Sequence, residues 1–284
     1  MIGSRPSRTA ERAAVWRAAH QLQDAPLVFE DPLALVVLGE SRGEAMRAAA
    51  RSEKSPIARR LRTFVAVRSR LAEDELERVV AAGVRQYVVM GAGLDTFACR
   101  NPHAGLRVFE VDHPATQAWK RGRLADARIA VPESVTFVGT DLESTADRLP
   151  EILRAAGLNT EEPSFFSWLG VTPYLQRGSV LATLAAIAPL TRQGGGVVFD
   201  YVVCPEGLGS QERAGFAALA ARVSTLGEPI RLHFDPSALV AEVSAMGYRE
   251  VRDVGPGELE ATYTSDRAAG LRVGSAGRIL VALG

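Results

Sequence analysis

Cysteine is scarce. Cys99 and Cys204 lie far apart and form no Cys-x-x-Cys, which argues against a disulfide framework and fits a reducing compartment. No apolar run reaches about 18 residues, so no membrane-spanning helix is expected. The opening residues lack the apolar stretch of a secretory leader. Neither charge sign dominates: 33 Lys and Arg balance 33 Asp and Glu, so no global field favours nucleic acid or an anionic membrane. The four histidines, His20, His103, His113 and His233, show no metal-ligand spacing, and no metal is expected. No Gly-Lys-Ser/Thr is present, which excludes a P-loop. These absences point to a cytoplasmic enzyme with a small-molecule partner and neither nucleic acid nor membrane to bind.

What is present centres on Gln86 to Arg100. A short apolar run, Tyr87 to Met90, stops at Gly91-Ala92-Gly93, as a buried parallel strand does on meeting a tight turn. Glycine there leaves bare backbone against which a ligand can lie. A second run, Leu106 to Asp112, ends on acid. A glycine turn followed by an acid at the next strand tip suits a cofactor with a ribose diol. Asp95 follows the first strand, Glu110 and Asp112 close the second, and Asp141 closes the third. Ligands of open parallel sheets bind at such carboxyl ends. The dehydrogenase fingerprint wants a third glycine where Thr96 stands, and no Tyr-x-x-x-Lys is recognisable, which counts against an NAD(P)-dependent oxidoreductase. S-adenosylmethionine has ribose and adenine but no pyrophosphate, and it fits better.

The whole chain reads as α/β. Residues 1–83 are helical in pattern: Ser7-Arg-Thr9 caps a helix from Ala10 to Leu22, Asp31-Pro32 opens a second, and a long third runs from about Ile57 to Ala82 and stops at Gly83. From 84 onward strands alternate with helices. Strands are expected at Gln86–Met90, Arg107–Val111, Val135–Gly139, Ser164–Gly170, Val197–Val202, Tyr248–Val254 and Arg278–Leu283. Alternation of this kind implies a parallel, doubly wound sheet with right-handed crossovers. Residues 207–236 form an insertion after the fifth strand, with a helix over about Gln211 to Leu226.

Several motifs in series carry a family resemblance: Phe64 to Glu75, Gly91-Ala-Gly-Leu-Asp-Thr96, Phe109-Glu-Val-Asp-His-Pro114, Asp141-Leu142 and Leu169-Gly-Val-Thr-Pro-Tyr-Leu175. Together they resemble the leucine carboxyl methyltransferase-like family, and more narrowly its bacterial branch of S-adenosylmethionine-dependent methyltransferases. The resemblance implies a Rossmann-like seven-stranded class I methyltransferase sheet (84–284) under an N-terminal helical cap (1–83), the two forming one compact unit. It implies S-adenosylmethionine as cofactor and S-adenosylhomocysteine as product. It also implies roles: Arg68 for the methionine carboxylate, Gly91, Ala92 and Gly93 beneath the methionine moiety, Asp112 for the ribose diol, and Asp141 with Leu142 for adenine. Leu169 stands where protein-phosphatase-methylating members carry a Glu-containing motif, so a protein C-terminus is not the expected substrate.

Simpler readings stand beside these. Arg68 sits on an Arg-rich helix, where a solvated face is ordinary. Asp95 could cap the helix that follows it, and Asp141 could be a turn residue. Glu110 could be a buried structural acceptor. Asp112 has the clearest functional signal, since packing gives no reason for an acid at the end of an apolar strand. Trp168, Tyr174 and Tyr201 flank the ends of strands four and five, where an acceptor would bind. His113, Tyr174, Tyr201 and His233 are the candidate bases, none with a partner legible in sequence. The leader, with Trp16 and Phe29, and the insertion would close an apolar pocket over a small organic acceptor. Two rivals are an oxidoreductase and a non-catalytic protein that retains the cofactor fold.

Overall fold

Strand β1 (Gln86–Met90) is buried along its whole length because a parallel strand pairs with it on each side. Val88 is level with Phe109 of β2 (Arg107–Asp112) and with Phe166 of β4 (Ser164–Trp168). The computed structural model describes residues 7–39, 41, 43, 44, 46, 56–224, 229–264 and 271–284. Before β1 lie helices α1 (Arg8–Gln23) and α2 (Pro56–Ala81). A short α3 (Phe97–Arg100) follows β1. Then come α4 (Pro114–Asp126), β3 (Val135–Gly139) and α5 (Leu149–Ala155). After β4 the chain forms α6 (Arg177–Ile187), β5 (Gly196–Val202), α7 (Ser210–Ser224), α8 (Pro236–Ser244), β6 (Glu250–Val254), α9 (Pro256–Tyr263) and β7 (Gly277–Leu283). The seven strands lie in the order β3-β2-β1-β4-β5-β7-β6.

Strand alternation sends successive side chains to opposite faces. Val88, Met90, Phe109, Phe166 and Phe199 pack under α5, α6 and α8, against Leu153, Leu184 and Leu239. Tyr87, Val89, Val108, Phe165 and Val198 pack under α2, against Val67, Leu71 and Leu76. A third cluster joins α1 to the rest through Ala14, Ala18, Leu94 and Leu124.

Three sequence expectations need correction. The sheet is not wholly parallel, because β7 runs antiparallel to both β5 and β6. The end of β6 lies beside the start of β7, with Val254 opposite Ile279, so β7 returns in the reverse direction. The second helix does not begin at Asp31-Pro32. Residues 32–38 form successive turns, and the Asp31 carboxylate is drawn inward to other partners described below. Strand four also stops at Trp168, short of Gly170. The far end of the expected helix at Leu226 lies outside the described residues; α7 spans Ser210–Ser224.

The N-terminal helices are fastened by buried polar contacts. Ser7 caps α1, accepting the Ala10 N–H at 3.1 Å. At the other end, His20 Nε2 accepts the N–H groups of Val28 and Phe29. The neutral ring therefore carries its proton on Nδ1, which donates to Asp24 at 2.8 Å. Asp24 also accepts two hydrogen bonds from Arg62 of α2, at 2.7 and 2.9 Å. Burial pushes the Asp24 carboxyl up, but Arg62 and His20 outweigh it and hold the pKa at about 2. A depressed folded-state pKa gives stability that is whole above the ordinary carboxylate value and is lost as pH falls through the folded one. Asp24 is therefore expected to contribute roughly 2 kcal/mol at neutral pH, disappearing between about pH 4 and pH 2. Urea unfolding of Asp24→Asn at a series of pH values checks this. A difference from wild type that does not shrink on acidification would refute it.

Candidate cofactor site

The glycine turn after β1 is held from below and from both sides. The N–H groups of Gly91 and Ala92 both donate to the Val111 carbonyl, at 2.8 and 3.1 Å. Gly91 and Gly93 have φ of +67° and +48°, a region that favours glycine. A Cβ on Gly91 would lie 2.3 Å from Val171 Cγ2, and one on Gly93 would lie 2.9 Å from the Ala10 Cβ of α1. Protein atoms thus approach the bare backbone at both positions, so packing alone requires these two glycines.

Asp112 closes the turn. Its Oδ2 accepts the Gly93 N–H at 2.6 Å and its Oδ1 accepts the His113 N–H at 2.7 Å. Burial raises its pKa, with the two backbone donors and the charge of Lys120 opposing incompletely. Glu110, two residues earlier, is fully buried and faces Lys120 of α4 at 2.6 Å. It is a structural partner within the fold.

Beneath α1, where β1 to β4 end, lies a cavity of about 700 Å³, within the range of small-molecule sites. All eight expected cofactor residues line it: Arg68, Gly91, Ala92, Gly93, Asp95, Asp112, Asp141 and Leu142. Asp95 also accepts the Phe97 N–H at 2.8 Å while facing the cavity; the N-cap position of α3 is Thr96, so Asp95 is not its cap. Burial pushes its carboxyl up, but the charges of Arg17, Lys120 and Arg100 prevail and lower it. Asp141 is exposed and accepts the Glu143 N–H in a turn. Leu142 is buried in the core beside it. Arg68 is buried, and its Nη1 donates to Asp200 at 2.8 Å.

The acceptor candidates divide. His113 and Tyr174 line the cavity. His113 is also the N-cap of α4, with Nδ1 accepting the Ala115 N–H at 3.2 Å. Trp168 and Tyr201 are fully buried on the sheet face under α5 and α6 and are not among the lining residues. The Tyr201 hydroxyl donates to Asp253 at 2.7 Å. His233 also lies off the cavity, ring to ring with Phe216.

The structure adds residues that sequence reasoning missed. Asp200 meets Arg68; its signal was an acid inside an apolar strand, the same signal that singled out Asp112. Tyr87 and Ser167 line the cavity and share a 2.7 Å hydrogen bond. Glu73 lines it as well, bridged to Arg100. Burial raises the Glu73 pKa despite that pairing. Among the described residues no cluster of His, Cys, Asp or Glu is arranged to hold a metal, and no helix is long and apolar enough to cross a membrane.

The described residues suit a nucleoside bearing an amino-acid end. A buried guanidinium sits on one side, and acids lie at successive strand tips on the other. The leucine carboxyl methyltransferase family matches residues 10–188, from the first turn of α1 to the end of α6. The chain belongs to this family. It is an enzyme of the S-adenosylmethionine-dependent methyltransferase class, and S-adenosylmethionine is its cofactor. A Bacillus subtilis relative, "Putative S-adenosyl-L-methionine-dependent methyltransferase YktD", is 30% identical over 92% of each chain. Two solved structures share the fold. One is of a putative methyltransferase from Thermobifida fusca (TM-score 0.57, 15% identity, covering 99% of this chain and 96% of that one). The other is of a duf574 family protein from Streptomyces avermitilis (TM-score 0.57, 16% identity, 96% of each). Within the family, Leu169 lines the cavity of this member.

Proposed function

We propose that this methyltransferase transfers the methyl group to an O, N or C atom of a small organic acceptor enclosed beneath α1, whose Ala10, Ala13 and Arg17 line the cavity. The observation that carries the reading is the convergence of the glycine turn, the strand-tip acids and Arg68 on one cavity under α1. Arg68 holds the methionine carboxylate, Gly91 to Gly93 run along the methionine moiety, Asp112 takes the ribose hydroxyls, and Asp141 with Leu142 receives adenine. S-adenosylmethionine supplies, when bound, a methyl group already activated on a sulfonium. What remains for the protein is alignment and exclusion of water, which can contribute about 7–11 kcal/mol in favourable cases. Val65, Leu169, Val171 and Leu175 give the cavity apolar walls against which an organic acceptor can lie.

The bases considered from sequence are reduced in number. His113 Nδ1 already accepts a backbone N–H, so its neutral ring carries the proton on Nε2 and acts there as a donor. Tyr201 is bonded to Asp253 away from the cavity. Tyr174 is left at the wall to position the acceptor.

Calorimetric titration with S-adenosylhomocysteine beside NADH tests the reading. Saturable binding of the first alone is expected; binding of NADH alone would overturn it. Binding should also depend on pH. Ribose hydroxyls donate best to an ionised Asp112, whose pKa burial has raised. Binding then favours the ionised form and lowers that pKa, so affinity falls on acidification, approaching tenfold per pH unit below it. Titrations between about pH 7.5 and 4.5 are the check. An affinity indifferent to pH would remove Asp112 from the ribose.

A further inference from the structure

We propose that Asp200 is a positioning residue for the cofactor's amino-acid end: it orients the Arg68 guanidinium so that one edge is left to receive a carboxylate. This rests on the assignment of Arg68 to the methionine carboxylate. Asp200 sits inside β5 at 3% exposure. An acid buried there requires partners, and three bonds tie this residue down. Its Oδ2 accepts Arg68 Nη1 at 2.8 Å, its Oδ1 accepts the Gly170 N–H, and its carbonyl accepts the Thr172 hydroxyl at 2.6 Å.

The arrangement commits only part of the guanidinium. Nη1 is taken by Asp200, while Arg68 Nε is buried without a hydrogen-bond partner among the described residues. A guanidinium binds a carboxylate with two parallel N–H groups, and Nε with Nη2 forms one such edge. Gly170 keeps room beside it. Its φ is +74°, and a Cβ there would lie 2.6 Å from Arg68 Nη2. The Phe64 ring lies 5.9 Å from the guanidinium carbon. Asp200 and Gly170 thus act on Arg68 from β5 and from the loop after β4, and the side chain stays rotationally fixed before any ligand arrives. An arginine pre-ordered in this way loses little freedom on binding.

The test separates the two ends of the cofactor. S-adenosylhomocysteine carries the amino-acid end; 5′-methylthioadenosine has the same nucleoside and sulfur without it. Asp200→Asn is expected to weaken S-adenosylhomocysteine on the order of 10- to 100-fold and to leave 5′-methylthioadenosine within about twofold of wild type. Arg68→Lys, which keeps charge but loses the planar edge, should show the same selective loss. Equal weakening of both ligands, or an unchanged S-adenosylhomocysteine affinity, would overturn the proposal. Should Asp200→Asn not fold, Asp200→Glu keeps the charge, displaces the carboxylate by one methylene and is judged by the same ratio. Failure of the wild type to bind S-adenosylhomocysteine would remove the cofactor assignment itself, a result distinct from loss of selectivity. Normal selectivity in the Asp200 variants with a selective loss in Arg68→Lys would keep Arg68 and dismiss Asp200.

Discussion

Asp112→Ala is expected to raise the dissociation constant for S-adenosylhomocysteine about 100-fold or more, the largest effect of any single change at the site. Two contributions add. The carboxylate is the acceptor for the Gly93 and His113 N–H groups, so its removal loosens the glycine turn and leaves two sheltered donors unmatched, at about 1–3 kcal/mol each. The variant also loses the proposed acceptor for the ribose hydroxyls, and charge-assisted hydrogen bonds contribute about 1.5–3 kcal/mol. Asp112→Asn keeps the shape and one acceptor oxygen and should fall between. Calorimetry on both variants, with thermal melts to confirm folding, decides the matter. A folded alanine variant that binds within threefold of wild type would show that this acid serves only the turn.

The second large effect is on stability and concerns Asp31. This fully buried carboxylate accepts from Arg17 Nε at 2.8 Å, from the Thr96 hydroxyl at 2.7 Å and from the Leu33 N–H at 3.1 Å. Arg100 lies 3.7 Å away, and Arg17 continues to the Leu94 carbonyl. Asp31 therefore joins α1, the turns that follow it, and the segment leading out of the glycine turn. Asp31→Ala would leave the buried Arg17 without its counter-charge, which costs about 3–5 kcal/mol. For a chain of this size the melting temperature should drop on the order of 10 °C, and α1 should become the first site of limited proteolysis. A melting temperature unchanged within two or three degrees would show that Arg17 finds other partners.

Asp31 also shows where sequence reading stops. Followed by proline, it has every local mark of a helix start, yet its partners Arg17 and Thr96 lie 14 and 65 residues away. No local pattern encodes such a pairing. What local pattern does encode is the inner sheet. The bounds of β1 match the expected run, because a strand with neighbours on both sides must be apolar throughout and must stop where glycine or acid appears; those of β3, at the edge of the sheet, match as well. The direction of β7 was not legible, since a helix between two strands is compatible with either sense. In β5, alternation decides more than residue type. Tyr201 shares the parity of Phe199 and faces the cluster under α6, whereas Asp200 shares that of Val198 and faces α2, the helix that carries Arg68. The strand-end aromatic thus points away from the helix that the acid beside it meets.

The contact between Ala10 and Gly93 has a bearing on how such enzymes could be recombined. The first helix meets the turn through two residues that have almost no side chain, so the fit tolerates no bulk from either partner. Position 10 is in effect a gauge block that sets the height of the roof above the floor of the cavity. A chimaera that grafts a relative's leader onto this core, in search of a new acceptor range, inherits that gauge along with the leader. Grafts that bring alanine or glycine to this position preserve the spacing. Grafts that bring a larger residue raise the roof, and the whole cavity beneath is resized before any residue facing the acceptor has been changed.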